Sequence, residues 1–379
     1  MWNYQSVCTF QTIKAMKTEN RIVMTLDAGG TNLVFSAIRN NEEIVTPVHL
    51  RSEVNDLDAC LRVLLQGFSQ VKEALTEEPV AISFAFPGPA DYEAGIIGDL
   101  PNFPSFRGGV ALGPFLQEHF GIPVFINNDG SLFAYGEALT GVLPEVNRQL
   151  KEAGSCKQYH NLLGITLGTG FGAGVVINGE LLIGDNGTGG DVWCCRNKKY
   201  PDYIVEESVS IRAVKRVYQE HSGDTRDLTP KDIFDIAEGC RPGNRQAAIT
   251  AFEELGEMAG EAIASAVTLI DGLVVIGGGL AGASKYILPA LMRELSGTTG
   301  MMNGSRFARL QMKPFNLENP DELQEFLKGQ VTQVQVPGTD RWVDYDPYKR
   351  IGVAISKQGA SRSIALGAYQ YALAKLDKE

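Results

Sequence analysis

The sequence predicts an α/β protein built from two similar halves of βββαβα type, and three observations predict it. From Arg21, "RIVMTLDAGGTNLVFSAIRNNEEIV" reads as a buried strand, a Gly-Gly turn, a second strand and an Asn-Asn turn into a third. From Leu162, "LLGITLGTG" and "GAGVVINGELL" repeat that strand, glycine turn, strand plan. From Gly272, "GLVVIGGGLAGA" is a buried strand that runs into another glycine turn.

Taken in order, the first strands form an antiparallel meander. A helix is expected from about Leu57 to Thr76, and "VAISFAF" (Val80 to Phe86) is a buried strand that stops at Pro-Gly-Pro. Leu112 to Phe120 reads as a helix, "IPVFIN" as a strand, and Ser131 to Thr140 as the next helix. The organisation then restarts, with a domain boundary expected between Thr140 and Cys156. Helices fit Ile204 to His221, Pro230 to Glu238 and Asn244 to Leu269. Residues 297–348 are less regular, with a short helix in "LENPDELQEFLKG" and a strand and loop in "VTQVQVPGTDRWVDYDP". That segment reads as an insertion on the second domain. The last helix, 361–376, is expected to return to the first half, so the domains are 20–145 with 361–376, and 156–360.

Composition narrows the function. With 379 residues the chain can bury two cores. Its 44% hydrophobic and 21% charged residues are an ordinary globular balance. A net charge of -11 without a basic cluster argues against a nucleic-acid surface. No apolar stretch approaches the roughly 20 residues of a membrane span. The N-terminus, "MWNYQSVCTFQTIKAMKTEN", lacks the pattern of a signal peptide. Cys8, Cys60, Cys156, Cys194, Cys195 and Cys240 contain no CxxC pair, so reduced thiols and a cytoplasmic location are expected.

Two segments carry the chemistry. In "FINNDGSLFAYGE", Asp129 lies between Asn128 and Gly130 at the tip of an apolar strand, where a carboxylate can meet a substrate. In "ITLGTGFGAGVVING", four glycines fall between Gly168 and Gly174, with Thr169 among them. Backbone without side chains lets amide N–H groups approach phosphate oxygens closely. An acid with a phosphate cradle suggests phosphoryl transfer, in which a carboxylate accepts the proton of an attacking hydroxyl, an effect worth roughly 10²–10⁴-fold.

These motifs resemble the ROK family of sugar kinases, within the actin, Hsp70 and hexokinase superfamily. "LDAGGTN" is similar to the first phosphate motif, "LGTGFGAG" to the second and "VIGGGLAGA" to the adenosine motif. "FPGPADYEAGIIGDLPNFPSF" resembles the sugar-side loop, "PVFINNDGSLFAYGE" the catalytic-acid strand and "IALGAYQYAL" the C-terminal helix. The match spans about 21–296 and 350–376 in the expected order. The resemblance implies two actin-like (ribonuclease H-like) lobes with an ATP and sugar cleft between them. It implies ATP- and Mg²⁺-dependent phosphorylation of a hexose or N-acetylhexosamine hydroxyl, expected at C6, and a homodimer.

By the same resemblance, Asp129 is the catalytic base and Asp27 holds Mg²⁺ through water. Gly29, Gly30, Thr31 and Asn32 form the first phosphate turn, with Asn32 standing where the family often has lysine. Thr169 and Gly170 form the second, and Gly277, Gly278 and Gly279 approach the adenosine. Gly88, Asn102, Asn128, Asp129, Asp191 and Glu206 fall on the sugar side. Amides such as Asn102 and Asn128 suit an alcohol because they both donate and accept.

The pattern breaks where many ROK proteins carry a structural zinc. Here the stretch is "GGDVWCCRNKKYPDYIVEES", with Asp191 in place of glutamate, Trp193 in place of glycine and Cys194 at the histidine. Two adjacent thiols cannot fill a tetrahedral site, so no structural zinc is expected. Glucose, N-acetylglucosamine, N-acetylmannosamine and fructose stay open as substrates, with a glucose-type sugar favoured. A ROK-type sugar-responsive regulator is the alternative, although about 20 residues before the first strand are too few for a three-helix DNA reader. A sugar- or nucleotide-binding protein without turnover is a further alternative.

Overall fold

The structure is a computed structural model that describes residues 19–28, 32–100 and 104–378. Gly29, Gly30, Thr31 and Asn102 therefore lie outside the described residues.

Strands β1 (Val23–Ala28), β2 (Asn32–Arg39), β3 (Glu42–Glu43) and β4 (Val48–Arg51) open the chain. Helix α1 (Leu57–Ala74) follows, capped by the Asp56 carboxylate, which accepts from the Ala59 N–H at 3.0 Å. Its Leu64, Phe68 and Val71 recur at helical spacing and bury against β2, where the Phe68 ring meets Phe35 edge-on at 5.0 Å. Next come β5 (Ala81–Ala85), the small ribbon β6 (Ala90–Asp91) and β7 (Ile96–Ile97), α2 (Leu112–Phe120), β8 (Val124–Asn127) and α3 (Asp129–Leu139). The first sheet runs β3-β2-β1-β5-β8, with β4 also on β2. Strands β1 and β2 are antiparallel, while β5 runs parallel to both β1 and β8.

The segment expected to be a domain boundary is helix α4 (Val142–Glu152), whose Val142, Leu143, Val146 and Leu150 are buried. The second half then repeats the first. It contains β9 (Leu162–Leu167), β10 (Phe171–Ile177), β11 (Glu180–Leu181), α5 (Ile211–Ser222), α6 (Pro230–Glu238), α7 (Arg245–Ile270), β12 (Leu273–Gly277) and α8 (Ser284–Leu295). Its sheet runs β11-β10-β9-β12 and continues through β18 (Arg350–Ile355) to the edge strand β15 (Lys313–Asn316), so the order β3-β2-β1-β5-β8 recurs, with β15 added at one edge in place of β4. The helix expected from Ile204 starts only at Ile211, because Val205–Glu207 forms a separate 3-10 turn tied to Cys195 by the Val205 N–H (2.7 Å).

Residues 297–348 are more than an insertion. They include the ribbon β13 (Thr298–Gly300) and β14 (Arg306–Ala308), the edge strand β15 (Lys313–Asn316), α9 (Pro320–Lys328) and a hairpin of β16 (Thr332–Gln335) and β17 (Trp342–Tyr345). Strand β15 pairs in parallel with β18 (Arg350–Ile355) and belongs to the second sheet. The segment is pinned by an ion pair between Arg350 and Asp346, 2.6 Å apart, with side chains 0% and 4% exposed. Arg350 also donates from Nε to the Phe326 carbonyl at 2.7 Å and lies against the rings of Phe326 and Tyr348.

Helix α10 (Ala360–Leu376) follows β18 yet packs on β1, β5 and β8 of the first sheet. Conversely, α3 follows β8 yet packs on β9 and β10 of the second sheet. Each half thus lends its last helix to the other, and the two helices cross almost backbone to backbone. A Cβ at Gly136 would lie 2.0 Å from the Ser363 carbonyl, and one at Gly367 1.9 Å from that of Leu132. Among the described residues, no helix is long and apolar enough to cross a membrane.

Candidate active site

Asp129 is the first residue of α3, and the Asn128 side chain caps that helix by accepting from the Gly130 N–H at 2.8 Å. The helix start rests directly on the second glycine hairpin. A Cβ at Gly130 would lie 2.7 Å from the Ala173 carbonyl oxygen and 2.8 Å from its nitrogen, and one at Gly174 would lie 2.5 Å from the Gly130 carbonyl. Gly130 lets α3 approach β10 more closely than a methyl group would permit. Gly130→Ala should therefore force the helix start away from β10. Overpacking of this kind costs about 1–3 kcal/mol. A thermal melt and a kcat measurement check it, and an unchanged melting temperature with unchanged kcat would refute the backbone contact.

The Asp129 carboxyl is accessible to solvent yet set low among protein atoms. Burial pushes its pKa above the usual carboxylate value, and bonding to the Gly130 N–H (2.8 Å) only partly offsets that. Tyr92, which the sequence did not single out, stands beside it. Its hydroxyl donates to the Phe86 carbonyl at 3.0 Å, bonds to the Asn128 side chain and feels the charges of both Asp129 and Asp191. Burial pushes this phenol up to about 12. A Cβ at Gly88, which precedes Pro89 in a cis bond, would lie 3.0 Å from the same hydroxyl. Tyr92 thus joins Gly88, Asn128, Asp129 and Asp191 in one place. The only signal for it was its position two residues after "FPGPA", where an aromatic has no motif.

Asp191 arrives from the second half. Gly190, at φ 101°, fits against Ala173 and Gly174, where a Cβ would lie 3.3 Å from the Gly174 Cα. Partial burial raises the Asp191 carboxyl, while the Trp193 indole N–H pulls it down. The loop beyond is closed by Asn197, which is fully buried. Its side chain donates to Ser208 Oγ (2.8 Å) and accepts from the N–H groups of Lys199 (2.9 Å) and Tyr200 (3.0 Å). Cys194 and Cys195 are exposed, and burial raises the Cys195 thiol. Among the described residues, no three His, Cys, Asp or Glu side chains are grouped to hold a metal ion.

The turn between β9 and β10 leaves Thr169 exposed, and a Cβ at Gly168 would meet nothing within 4 Å. Glu206, expected on the sugar side, braces this turn. Its Oε2 accepts from the Phe171 N–H at 3.0 Å, its Oε1 pairs with Arg212 at 2.9 Å, and a Cβ at Gly170 would lie 2.6 Å from Oε2. No described contact joins Glu206 to Asn128 or Asp129. After β12, Gly278 (φ 89°) lies on Leu167, whose carbonyl a Cβ would meet at 2.3 Å, and Gly277 lies against the Phe133 ring of α3. Gly279 has open space around it, so the fold alone does not require a glycine there.

In the first sheet, Asp27 is the penultimate residue of β1 and is exposed, with no hydrogen bond or ion pair to a described residue. Asn32, also exposed, begins β2 on the same face, since Asp27 pairs with Val34 two positions on. A single unencumbered carboxylate suits an ion that keeps most of its water, as Mg²⁺ does.

The model of the ROK family matches residues 23–302. Among curated proteins, the chain is 25% identical to the glucokinase of Thermotoga maritima over 291 residues, 71% of this chain and 86% of that one. It is 25% identical to the N-acetyl-D-glucosamine kinase of Vibrio cholerae over 319 residues, 75% of this chain and 98% of that one. Among solved structures, it is 69% identical to the glucokinase of Parabacteroides distasonis, with a TM-score of 0.87 over 94% of this chain and 99% of that one.

Proposed function

The chain belongs to the ROK family, and we propose that it phosphorylates the C6 hydroxyl of a glucose-type hexose or N-acetylhexosamine with Asp129 as the general base. It is an ATP-dependent sugar kinase with an actin-like two-lobe fold. The observation that carries the proposed mechanism is the seating of the Asp129 helix start on the β10 backbone, which puts a base beside the second phosphate hairpin.

Asn128, Asp191 and the Gly88 loop hold the sugar, with Tyr92 fixing the Asn128 amide. The Asp129 carboxylate takes the hydroxyl proton as the sugar oxygen bonds to the γ-phosphorus. The bond from that phosphorus to the bridging oxygen breaks, and ADP leaves. Thr169 and the amide of Gly170 receive phosphate oxygens, while the Gly168 N–H closes the turn on the Gly170 carbonyl (3.1 Å), and Gly279 leaves room for the adenosine. The position of Asp27 fits Mg²⁺, which when bound neutralises phosphate charge. Crossed helices α3 and α10 are the natural hinge for closure, which keeps water from the γ-phosphate. A cytoplasmic homodimer is part of this reading, on the family resemblance.

ADP release with Mg²⁺-ATP, measured across hexoses, hexosamines and N-acetylhexosamines, tests the reading. Turnover on one or two sugars is expected. No turnover on any of them, with sugar or ATP still bound, would favour a binding or regulatory protein. The pH profile provides a further test. Because burial raises the Asp129 carboxyl and the base must be ionised, kcat/KM should fall on the acid side with an apparent pKa above the ordinary aspartate value of about 3.9. A profile that is flat down to that value would remove Asp129 from the role.

A further inference from the structure

Gly170, in the turn between β9 and β10, is not required by its backbone angle. It has no positive φ, the conformation that glycine adopts more freely than other residues. A Cβ placed on it would have three Glu206 atoms as its nearest neighbours, Oε2 at 2.6 Å, Cδ at 3.4 Å and Oε1 at 3.9 Å. The missing side chain therefore makes room for the Glu206 carboxylate. From that position Oε2 accepts from the Phe171 N–H at 3.0 Å. Strand β11 pairs with β10 only at Val176 and Ile177 and stops short of Phe171. Glu206 supplies the acceptor that a strand neighbour would.

Glu206 is itself held in place. Arg212 donates to its Oε1 at 2.9 Å and to Glu207 at 2.7 Å. The buried Ser210 hydroxyl donates to the Glu206 carbonyl at 2.9 Å. Helix α5 closes on the same turn, because the Ile211 N–H donates to the Gly168 carbonyl at 2.9 Å. The turn is thus fixed from both ends, and Thr169 at its tip stays exposed. A bare carboxylate so close to a phosphate turn would repel the ligand, and the Arg212 guanidinium offsets that charge.

We infer that Glu206 is a positioning residue for the second phosphate turn, acting through the Phe171 N–H, and that position 170 is glycine in order to admit its carboxylate. This rests on the kinase reading above. Phosphate oxygens need donors at set positions, and a turn whose backbone can shift presents them poorly. Glu206 acts through the turn, so its loss should weaken the nucleotide and spare the sugar. An acid that bound the sugar directly would do the reverse.

The test measures turnover with varied MgATP and varied sugar, with calorimetric binding of a non-hydrolysable ATP analogue and of the sugar. The proteins are the wild type, E206A, E206Q, G170A and the double variant E206A/G170A. E206A is expected to raise the Kd and KM for nucleotide about tenfold, the usual loss for one charge-assisted bond, with the sugar Kd within about twofold of wild type. E206Q keeps an oxygen that can accept from the Phe171 N–H, so it should lose less than E206A. G170A should weaken the nucleotide about as much as E206A, because its methyl group displaces the carboxylate. The double variant should be no weaker than either single one, since each removes the same contact. Losses that add in the double variant would overturn the inference. So would unchanged nucleotide binding in both E206A and G170A. If the wild type turns over and E206A and E206Q weaken the sugar alone, Glu206 is a sugar ligand, and the inference fails while the kinase reading stands. Equal losses of nucleotide and sugar in E206A and E206Q, with a lower melting temperature, would assign a general structural role and overturn it. Should E206A not fold, E206Q and G170A give the same comparison. If the wild type neither binds nor uses MgATP, the inference and the kinase reading fail together.

Discussion

Asp129→Asn should lower kcat by roughly 10²–10⁴-fold while leaving ATP and sugar binding nearly unchanged. The amide keeps the size and the neighbours of the carboxylate, including the Gly130 N–H, but cannot accept the hydroxyl proton. Stability supplies an independent check on this variant. Burial raises the carboxyl, so its charged form is disfavoured in the fold. The contribution to stability is then fully present below the ordinary aspartate value and is lost as pH rises through the raised one. At neutral pH the neutral amide should therefore melt at or above the wild-type temperature. A kcat within tenfold of wild type would exclude Asp129 as the base. A large kcat loss with a lower melting temperature would point to misfolding of the α3 start.

Arg350→Met should be the most destabilising single change outside the active site, costing about 3–5 kcal/mol. Methionine keeps much of the apolar stem against Phe326 and Tyr348 but leaves the Asp346 charge buried and the Phe326 carbonyl without its donor. Burial alone would raise the Asp346 carboxyl. The Arg350 guanidinium and the N–H groups of Tyr348 and Gln330 outweigh it and hold the acid below its ordinary value. A depressed acid stabilises at neutral pH and loses that contribution as pH falls below the ordinary aspartate value. The gap between wild type and Arg350→Met in urea should therefore narrow in acid. Adding Asp346→Asn to the variant should restore part of the loss at neutral pH. An unchanged urea midpoint would show that the pair does not anchor residues 313–350.

Several elements were legible because their signals are local. Helix α6 is bounded by Thr229, which caps it in a reciprocal box with Asp232, by Pro230 in the first turn and by Gly239 at φ 78°. Both glycine hairpins stood out because buried strands flank residues that need no side chain. Helix α4 did not, although Val142, Val146 and Leu150 carry a helical period, because the restart of the strand plan after Thr140 marks the segment as a domain boundary. Strand β15 was missed because "KPFN" begins with a charge and a proline, which an edge strand tolerates and a strand pattern does not advertise.

The sequence by itself determined the two-part βββαβα plan, the glycine turns and the acids Asp27 and Asp129 at the ends of strands, because backbone freedom, capping and apolar runs act between near neighbours. Only the tertiary structure decided that α3 and α10 exchange sheets, that Tyr92 stands by Asn128 and that Glu206 braces the turn between β9 and β10. Those facts depend on contacts, such as Gly136 with Ser363, between residues distant in the chain. No local preference encodes such contacts, and they exist only once the whole chain has packed.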